Sequence, residues 1–405
     1  MEQLEEKRRQ IFNLGLVSLF NDLSSEVVIR VLPLYLIIVV QASVFGVGII
    51  EAIAESTATL GKLLSGYYSD RQMKRKPLIF AGYALSVLSR PLILFQPTLV
   101  VVSLSRFLDK IGKSVRTPAR DALIADLSDS ENRGRNFGIN RALDTLGAVI
   151  GLLGVYAFLR LARLNDALAL KTILAWACGI GFATLIVLGL GVKEMPPKHL
   201  AQSKILKLSL MGLDLRIRFY LVIGLFFALA SSSDAFIIVR FKEIGLSMGT
   251  IFLILAGFNI VSASTAFYLG HLSDKRGRKI FLTMGWLIYA FVYFFFSLSQ
   301  STPLLIAVFL FYGLFYSLTD GIEKALVADF AQGEQKGQTY GWLGLIQGLA
   351  VIPANLIFAS LYEKMGSAWA FRSSAVFAMG GILLLVFFNP QSVKFNPQGL
   401  KREVL

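Results

Sequence analysis

The sequence has a single cysteine, Cys178, and only two histidines, His199 and His271, among its 405 residues. One cysteine can build neither a disulfide nor a cysteine-based metal site, so Cys178 is predicted to pack as an apolar side chain. The sequence also has no His-Glu-x-x-His motif, no Walker loop and no Cys/His cluster. These absences argue against a membrane enzyme, and we expect no cofactor and no metal.

Charged residues are scarce as well. They make up 16% of the chain, whereas hydrophobic residues make up 55%, and the mean hydropathy is +0.65. A window of about 19 residues finds apolar stretches that can cross a hydrocarbon core about 30 Å thick. Their lengths exceed the roughly 10 residues of a barrel strand. The sequence predicts an all-α membrane protein with twelve spans, at 11–36, 44–69, 77–96, 99–125, 136–160, 171–191, 218–240, 247–272, 279–299, 303–328, 339–362 and 367–388.

Lysine and arginine residues are concentrated on one side of the predicted spans. They lie before the first span, after spans 2, 4 and 8, and in the linker between spans 6 and 7, whereas the opposite loops are nearly bare. This positive-inside asymmetry predicts a multi-pass protein of the inner membrane with both termini in the cytoplasm. It also accounts for the net charge of +14, so the lipid bilayer is an expected partner and nucleic acid is not.

A short loop motif occurs twice, about 204 positions apart. The copies read GYYSDRQMKRK from Gly66 and GHLSDKRGRK from Gly270, and each closes the second span of a group of six. The ends of spans 4 and 10, DALIAD and KALVAD, match at nearly the same offset. The repeat predicts an N-terminal bundle at 1–191 and a C-terminal bundle at 218–405, joined by a cytoplasmic linker at 192–217.

The second copy resembles the loop signature of the major facilitator superfamily, G-x-x-x-D-R-x-G-R-R/K, through Asp274 and Arg278 among others, while the first copy departs from it at Met73. The resemblance covers essentially the whole chain. Segments 113–123 and 319–325 are similar to those of a bacterial branch of largely uncharacterised transporters, which gives no substrate. The resemblance implies two pseudo-symmetric six-helix bundles, a central cavity between them that is lined by spans 1, 4, 7 and 10, and an alternating-access cycle.

The resemblance assigns the repeated loop the role of a cytoplasmic latch that is closed in the outward-facing state. A carboxylate at the end of a span can cap the next helix or pair with a cation of another helix. The alternative is a basic loop that only fixes topology, with nearby charges that merely tie helices together. The residues predicted at this cytoplasmic gate are Gly66, Asp70, Arg71, Arg116, Arg120, Asp121, Arg141, Asp144, Gly270, Asp274 and Arg278.

Many ionisable residues fall inside the predicted spans. Burying each in a bilayer costs a few kcal/mol, so each needs a partner or a wet cavity. Asp22 and Glu26 are the leading candidates for proton carriers, because they lie one turn apart and neither histidine lies at mid-membrane; Asp109, Lys110 and Lys113 should face them. The residues predicted at the coupling and substrate cavity are Asp22, Glu26, Arg30, Glu51, Glu55, Arg106, Asp109, Lys110, Lys113, Asp234, Asp320, Glu323 and Lys324.

The leading functional hypothesis is a secondary active transporter of a small organic solute, acting as a monomer. Proton-coupled efflux is favoured on the resemblance alone, and sodium coupling stays open. The basic stripe on span 4 supports an alternative, which is uptake or exchange of an anionic metabolite or metal chelate. A more distant alternative is a membrane receptor that transports nothing.

Overall fold

The computed structural model describes residues 2–69, 75–128, 132–194, 213–330 and 335–388, and every regular element in these ranges is an α-helix. The first half contains α1 (Glu2–Ile38), α2 (Val44–Ser69), α3 (Lys76–Ser89), α4 (Leu92–Phe95), α5 (Leu99–Leu127), α6 (Arg133–Leu161) and α7 (Asp166–Gly191). The helices α3 and α4 together form one span, which is interrupted at Pro91.

The second half also has six spans, one of which is broken into two helices. The broken span is the first of this half, whereas in the first half it is the third. The second half contains α8 (Leu215–Ala230), α9 (Ala235–Glu243), α10 (Met248–Arg276), α11 (Arg278–Leu298), α12 (Thr302–Phe330), α13 (Gln335–Met365) and α14 (Ser367–Phe387). The helices α8 and α9 together form one span. The described residues therefore contain twelve spans in two groups of six.

Ten of the twelve spans are long and apolar enough to cross a membrane by composition alone. The other two are α1, with 37 residues, and α5, with 29 residues. Both are long enough to cross, and both carry several charged residues near their centres. The predicted all-α, multi-pass membrane architecture is confirmed, and its two least apolar spans are the ones with the most internal charge.

We name the two ends of the molecule by their loops. The end that holds Arg75, Lys193 and Arg278 is the basic face, and the end that holds the loops 39–43 and 244–247 is the opposite face. Within the first half, α1 packs on α6 and α7, and α5 packs on α2 and α3; within the second, α12 packs on α10 and α11. The two halves meet through α2 against α13, α6 against α10, and α1 against α9.

The break between α8 and α9 falls at Ser231–Asp234, where the sequence predicted an uninterrupted span. Serine and aspartate side chains compete with helical hydrogen bonds, which favours a break at a run of them. The freed backbone groups find partners on other helices: Ser232 N donates to Tyr289 Oη at 3.2 Å, and Ser233 N donates to Asn355 Oδ1 at 2.9 Å. A broken helix at membrane depth is tolerated under these conditions, and such breaks commonly mark transport sites.

Candidate functional site

The cations of α5 lie on one stripe of the helix. Arg106, Lys110 and Arg116 are all buried, at spacings that place them on the same face. The helix can hold this stripe close to α3 because Gly82 and Gly112 meet where the two helices cross. A side chain at either position would collide with the facing backbone. The sequence therefore brings α5 within reach of polar groups on its neighbours.

A chain of buried charges runs across the first half. The Nη2 atom of Arg90 lies 3.3 Å from Asp109 Oδ1, and Arg106 lies 3.7 Å from the second oxygen of Asp109. Arg106 is also 3.8 Å from Glu51. Glu51 in turn accepts a hydrogen bond of 2.9 Å from Ser233 Oγ, at the break between α8 and α9. This chain links the interior of the first half to the broken span of the second.

Arg90 was not among the predicted site residues, although it is one of the most buried side chains in the described residues. It lies between α3 and α4, and besides Asp109 it donates to Ser24 Oγ at 2.7 Å and to Asn21 Oδ1 at 3.1 Å. The predicted span at 77–96 already contained Arg90. A charge inside a predicted span needs a partner, and this was the signal that could have selected it.

Lys110 and Lys113, which the sequence placed together opposite Asp22 and Glu26, have different surroundings. Lys110 Nζ donates to Glu55 Oε1 at 2.5 Å, because α5 packs directly on α2. The Lys113 ammonium has no ion pair or hydrogen bond within the described part of the chain. Asp22, Glu26 and Glu55 all interact with it electrostatically. Only Lys113 therefore keeps the predicted relation to Asp22 and Glu26.

Arg30 joins the two halves near the opposite face. Its Nη1 atom lies 3.2 Å from Asp234 Oδ2, and its Nε atom lies 3.6 Å from Glu26 on the same helix. Tyr316 on α12 donates to the same oxygen of Asp234 at 3.0 Å. Three spans that the resemblance places around the cavity, namely α1, the broken span and α12, thus converge on one carboxylate. The sequence predicted Arg30 and Asp234 as site residues without predicting that they touch.

Two carboxylates of the predicted cavity have no cation within ion-pair distance in the described residues. Asp22 accepts from Asn21 Nδ2 at 2.8 Å and from Ser25 Oγ at 3.4 Å. Glu323 accepts from Tyr220 Oη at 3.1 Å and from Gln347 Nε2 at 3.2 Å. Since all of these donors are neutral, no opposite charge within ion-pair distance offsets the desolvation of a negative charge at either position. Both sites can hold a proton at a lower cost than an ion-paired carboxylate can.

The predicted gate residues of the first half form two groups. Arg116 donates to Ser86 Oγ at 2.5 Å and lies 4.4 Å from the centre of the Tyr83 ring. Arg120 donates to Ser18 Oγ at 2.9 Å and has two acidic neighbours, Asp121 at 3.1 Å and Asp144 at 3.8 Å. These residues tie α5 to α1, α3 and α6 within one half.

Arg141 lies apart from that cluster. It reaches across the halves to Asp320 on α12, at 3.8 Å, and the two side chains are 77% and 64% exposed. Both line an open cavity of about 1150 Å³ between α6, α10 and α12. Lys324, one turn further along α12, lines the same cavity and is exposed. The predicted residues Arg141, Asp320 and Lys324 thus meet at the mouth of a cleft between the halves.

The repeated loop is described in full only in the second half. There Asp274 accepts from Arg278 Nη2 at 2.8 Å, and Arg278 also donates to the carbonyl of Ala325 at 3.0 Å and pairs with Asp329 on α12. Gly270 lies in α10 with open space around it. In the first half, Gly66 lies in α2, whereas Asp70 and Arg71 lie outside the described residues.

The first half nevertheless repeats one contact of the loop. Arg75 Nε lies 3.1 Å from Asp126 Oδ2, and Asp126 matches Asp329 in the repeat, whereas Arg75 lies one position after the loop residue that matches Arg278. A basic residue of the loop thus holds the end of the fourth span in each half. Neither Arg75 nor the two aspartates were predicted as gate residues. The sequence did show that the loop and the ends of spans 4 and 10 repeat together, which could have indicated that they are in contact.

The ends of α1 and α7 are joined at the basic face. Lys193 donates through its backbone nitrogen to Gln10 Oε1 at 3.0 Å and through Nζ to Glu6 at 2.7 Å. The hydrogen bond and the charge of Lys193 lower the pKa of Glu6. Glu194 accepts from the backbone nitrogens of Arg75 and Lys76. These contacts hold the beginning of the first half against its end.

The comparisons with known proteins agree over nearly the whole chain. The sequence profile of the Major Facilitator Superfamily matches residues 14–239 and 219–403. An uncharacterised MFS-type transporter of Methanocaldococcus jannaschii is 31% identical over 393 residues, which are 95% of this chain and 96% of the relative. An uncharacterised protein of Mycobacterium bovis is 24% identical over 324 residues, or 78% of each chain.

Solved structures share the fold at low sequence identity. The structure of a nucleoside transporter aligns with a TM-score of 0.74 at 12% identity, covering 94% of this chain and 98% of that one. The structure of a D-xylose–proton symporter aligns with a TM-score of 0.72 at 17% identity, covering 94% and 96%. At these identities the likeness concerns the arrangement of the helices and not the solute.

Proposed function

The chain belongs to the major facilitator superfamily and is a secondary transporter, and on that premise we propose that it couples proton movement to the efflux of a small organic solute. The observation that carries the coupling is the pair of carboxylates, Asp22 and Glu323, that are held by neutral donors alone. One lies in each half, on a span that faces the other half in this family. A proton can occupy either site without first breaking an ion pair.

The structure has the arrangement expected of a transporter closed at one end. At the opposite face, Arg30 pairs with Asp234, Phe45 N donates to Glu363 at 3.0 Å, and Lys242 pairs with Asp166, all between the two halves. At the basic face, α5 and α12 each make their main contacts within their own half. We assign this arrangement to the state open at the basic face, with the cleft beside Arg141 as its mouth.

We propose that the basic face is cytoplasmic and that the protein acts as a monomer in the inner membrane, with an N-terminal bundle at 1–191 and a C-terminal bundle at 218–405. The lysine and arginine asymmetry supports this orientation. Most of the linker at 192–217 lies outside the described residues. Reporter fusions at Leu405 and in the linker should both report the cytoplasm, and a periplasmic signal from either would reject the orientation.

The coupling proposal is tested on reconstituted protein once a solute has been found. A thermal-shift screen against nucleosides, pentoses, drugs and metal chelates identifies a solute, since a bound ligand stabilises the state that it binds. Asp22→Asn and Glu323→Gln should then abolish accumulation driven by a pH gradient while sparing solute counterflow, which needs no net proton movement. Glu26→Gln is the matched control, because Glu26 already has Arg30 as a partner.

Three outcomes of this experiment would contradict the proposed coupling site or coupling ion. If both neutral variants accumulate the solute at the normal rate under a pH gradient, protons are not carried at Asp22 or Glu323. If Glu26→Gln alone abolishes gradient-driven accumulation, the coupling site lies beside Arg30 instead. If a sodium gradient replaces the pH gradient without loss of rate, the coupling ion is sodium.

A second candidate function, the uptake or exchange of an anion, rests on Lys113. An ammonium group without a close partner, in a span of the predicted cavity, attracts an anionic solute through a medium of low dielectric constant. Carboxylate- and phosphate-bearing compounds in the thermal-shift screen test this candidate. A stabilisation that disappears in Lys113→Met would favour an anionic substrate over a neutral or cationic one.

A further inference from the structure

A second concave surface lies on the outside of the second half. It is a groove of about 820 Å³ between α11 and α14, with one side chain from α12, and it is separate from the cleft between the halves. Its walls are apolar, and Arg372 contributes the apolar part of its side chain to them. The residues that matter here are Phe291, Phe294, Phe311, Val376, Met379 and Arg372.

Arg372 is the one charged residue of this groove. It lies five residues after Ser367, the first residue of α14, and therefore near the opposite face rather than at mid-membrane. Its guanidinium carbon lies 5.1 Å from the centre of the Trp369 ring, and no carboxylate lies within ion-pair distance of it in the described ranges. Arginine and tryptophan together are typical of the boundary between hydrocarbon and headgroups. A guanidinium in this position can pair with an anionic headgroup of the membrane.

The groove suits a lipid, because it has a cation at its outer end and an apolar surface that runs toward the bilayer centre. From Arg372, α14 runs inward to Met379, seven residues on and so about 10 Å deeper. The facing helix α11 lines the same depth from Phe294 to Leu287. A cation at the membrane boundary, followed by an apolar channel that runs toward the bilayer centre, is complementary to a phosphate headgroup followed by an acyl chain.

We propose that this groove binds one anionic phospholipid, with its phosphate at Arg372 and an acyl chain between α11 and α14. The charge complementarity favours a lipid over a second copy of the chain. A second copy would have to bring a carboxylate into the membrane opposite Arg372, or leave the guanidinium facing hydrocarbon. The site goes beyond the proposed transport function and does not depend on it.

The test uses the full-length protein in detergent and native mass spectrometry. Purified, delipidated protein is titrated with palmitoyl-oleoyl phosphatidylglycerol and, separately, with the phosphatidylcholine of the same chains. Arg372→Gln removes the cation, and Val376→Trp fills the groove from its exposed rim. Arg160→Gln is the matched control, because Arg160 also lies over an aromatic ring, that of Tyr156, near the opposite face, but on α6.

The wild type should bind one phosphatidylglycerol more tightly than phosphatidylcholine. Arg372→Gln should weaken that first binding step about fivefold, which corresponds to about 1 kcal/mol per arginine at the membrane surface. Val376→Trp should abolish it, and Arg160→Gln should leave it unchanged. A photoreactive acyl chain should label α11 and α14, which separates this lipid from one bound elsewhere.

Three outcomes would overturn the proposal. The first is normal phosphatidylglycerol binding by both Arg372→Gln and Val376→Trp. The second is an equal loss of binding in the Arg160→Gln control, which would indicate attraction to surface charge in general. The third is a dimer in the spectrum of the lipid-free wild type that Val376→Trp abolishes, because the groove would then hold a second copy. Size-exclusion profiles of each variant confirm that it is folded.

Discussion

The guanidinium group of Arg30 and the carboxylate of Asp234 lie 3.2 Å apart and connect the first span of one half to the broken span of the other. Both side chains are largely shielded from solvent, and Tyr316 donates to the same carboxylate oxygen. The second oxygen of Asp234 has no hydrogen-bond partner. The contact therefore joins two halves that have to separate at this face in an alternating-access cycle.

Removing the charge at Asp234 should open the opposite face. In Asp234→Asn the Arg30 guanidinium keeps only Glu26 as an acidic partner, so the contact between halves weakens. Spin labels at Gln96 and Gln300, which occupy matching loops of the two halves at this face, can report the distance between them. The variant should show a longer mean distance than the wild type.

Two controls make this measurement specific. Cys178, the only native thiol, is replaced by alanine in all samples so that only the introduced cysteines are labelled. Glu363→Ala removes a different contact between the halves, a hydrogen bond from the backbone of Phe45 at the surface, and should have a smaller effect. Identical distance distributions in the wild type and Asp234→Asn would show that the Arg30 pair does not hold this face closed.

The ion pair between the loop and the fourth span, at the basic face, should contribute more to the free energy of unfolding in the first half than in the second. The side chains of Arg75 and Asp126 are 8% and 16% exposed, whereas those of Arg278 and Asp329 are 26% and 53% exposed. Breaking the buried pair with Arg75→Ala should destabilise the fold by about 3 kcal/mol, because it strands a buried carboxylate. Arg278→Ala should cost about 1 kcal/mol or less. Unfolding midpoints in detergent, compared for both variants, should differ in this order; equal midpoints would contradict the argument.

A substitution in the Lys110 ion pair should lower stability, whereas a substitution of Lys113 should weaken solute binding. Glu55→Gln leaves the buried ammonium of Lys110 without its close acidic partner and should lower the thermal unfolding midpoint, since an unpaired buried charge is costly. Lys113→Met removes no direct contact and should fold with a near-normal midpoint while losing affinity for an anionic solute. Melting curves with and without the solute found by screening measure both effects. A destabilised Lys113→Met protein with unchanged solute binding would show that Lys113 has a structural role.

The close crossing of α3 and α5 should tolerate no side chain. An added Cβ at Gly112 would lie 2.8 Å from the backbone nitrogen of Ser86, so Gly112→Ala forces the helices apart and should cost about 1–3 kcal/mol. Gly154, in α6, has open space around it. Gly154→Ala should be neutral or stabilise the protein by up to about 1 kcal/mol, because alanine is the better helix former. Unfolding midpoints of the two variants provide the comparison, and a Gly112→Ala protein as stable as the wild type would contradict the packing argument.

The sequence was sufficient for the number and order of the spans because ten of the twelve are long apolar runs and because the repeat occurs at nearly one offset. It also placed the cations of α5 on one face, since helical spacing alone decides that. It did not predict which partner each cation has: Lys110 was expected opposite Asp22 and pairs with Glu55. That choice depends on how closely α2 and α5 pack, which is a property of the assembled bundle.

The break at Ser231–Asp234 and the role of Arg90 were missed for a related reason. A short polar run inside an apolar span is compatible with a continuous helix, and it breaks only if other helices supply partners for the freed backbone. Those partners, Tyr289 and Asn355, come from α11 and α13. Arg90 likewise depends on Asn21 and Asp109, which lie on other spans, so its surroundings cannot be derived from its own segment.

The low apolarity of α1 has a consequence for how the chain is made. This helix leaves the ribosome before the other spans described here, yet it is one of the two that fall outside the apolar set. The groups that satisfy its polar residues come later: Arg90 holds Asn21 and Ser24, and Asp234 holds Arg30 only after the seventh span has been synthesised. A helix of this composition partitions poorly into lipid alone. Its lasting residence in the bilayer therefore depends on segments made afterwards, so that truncating the chain before residue 90 should leave α1 prone to slip out of the membrane and be degraded.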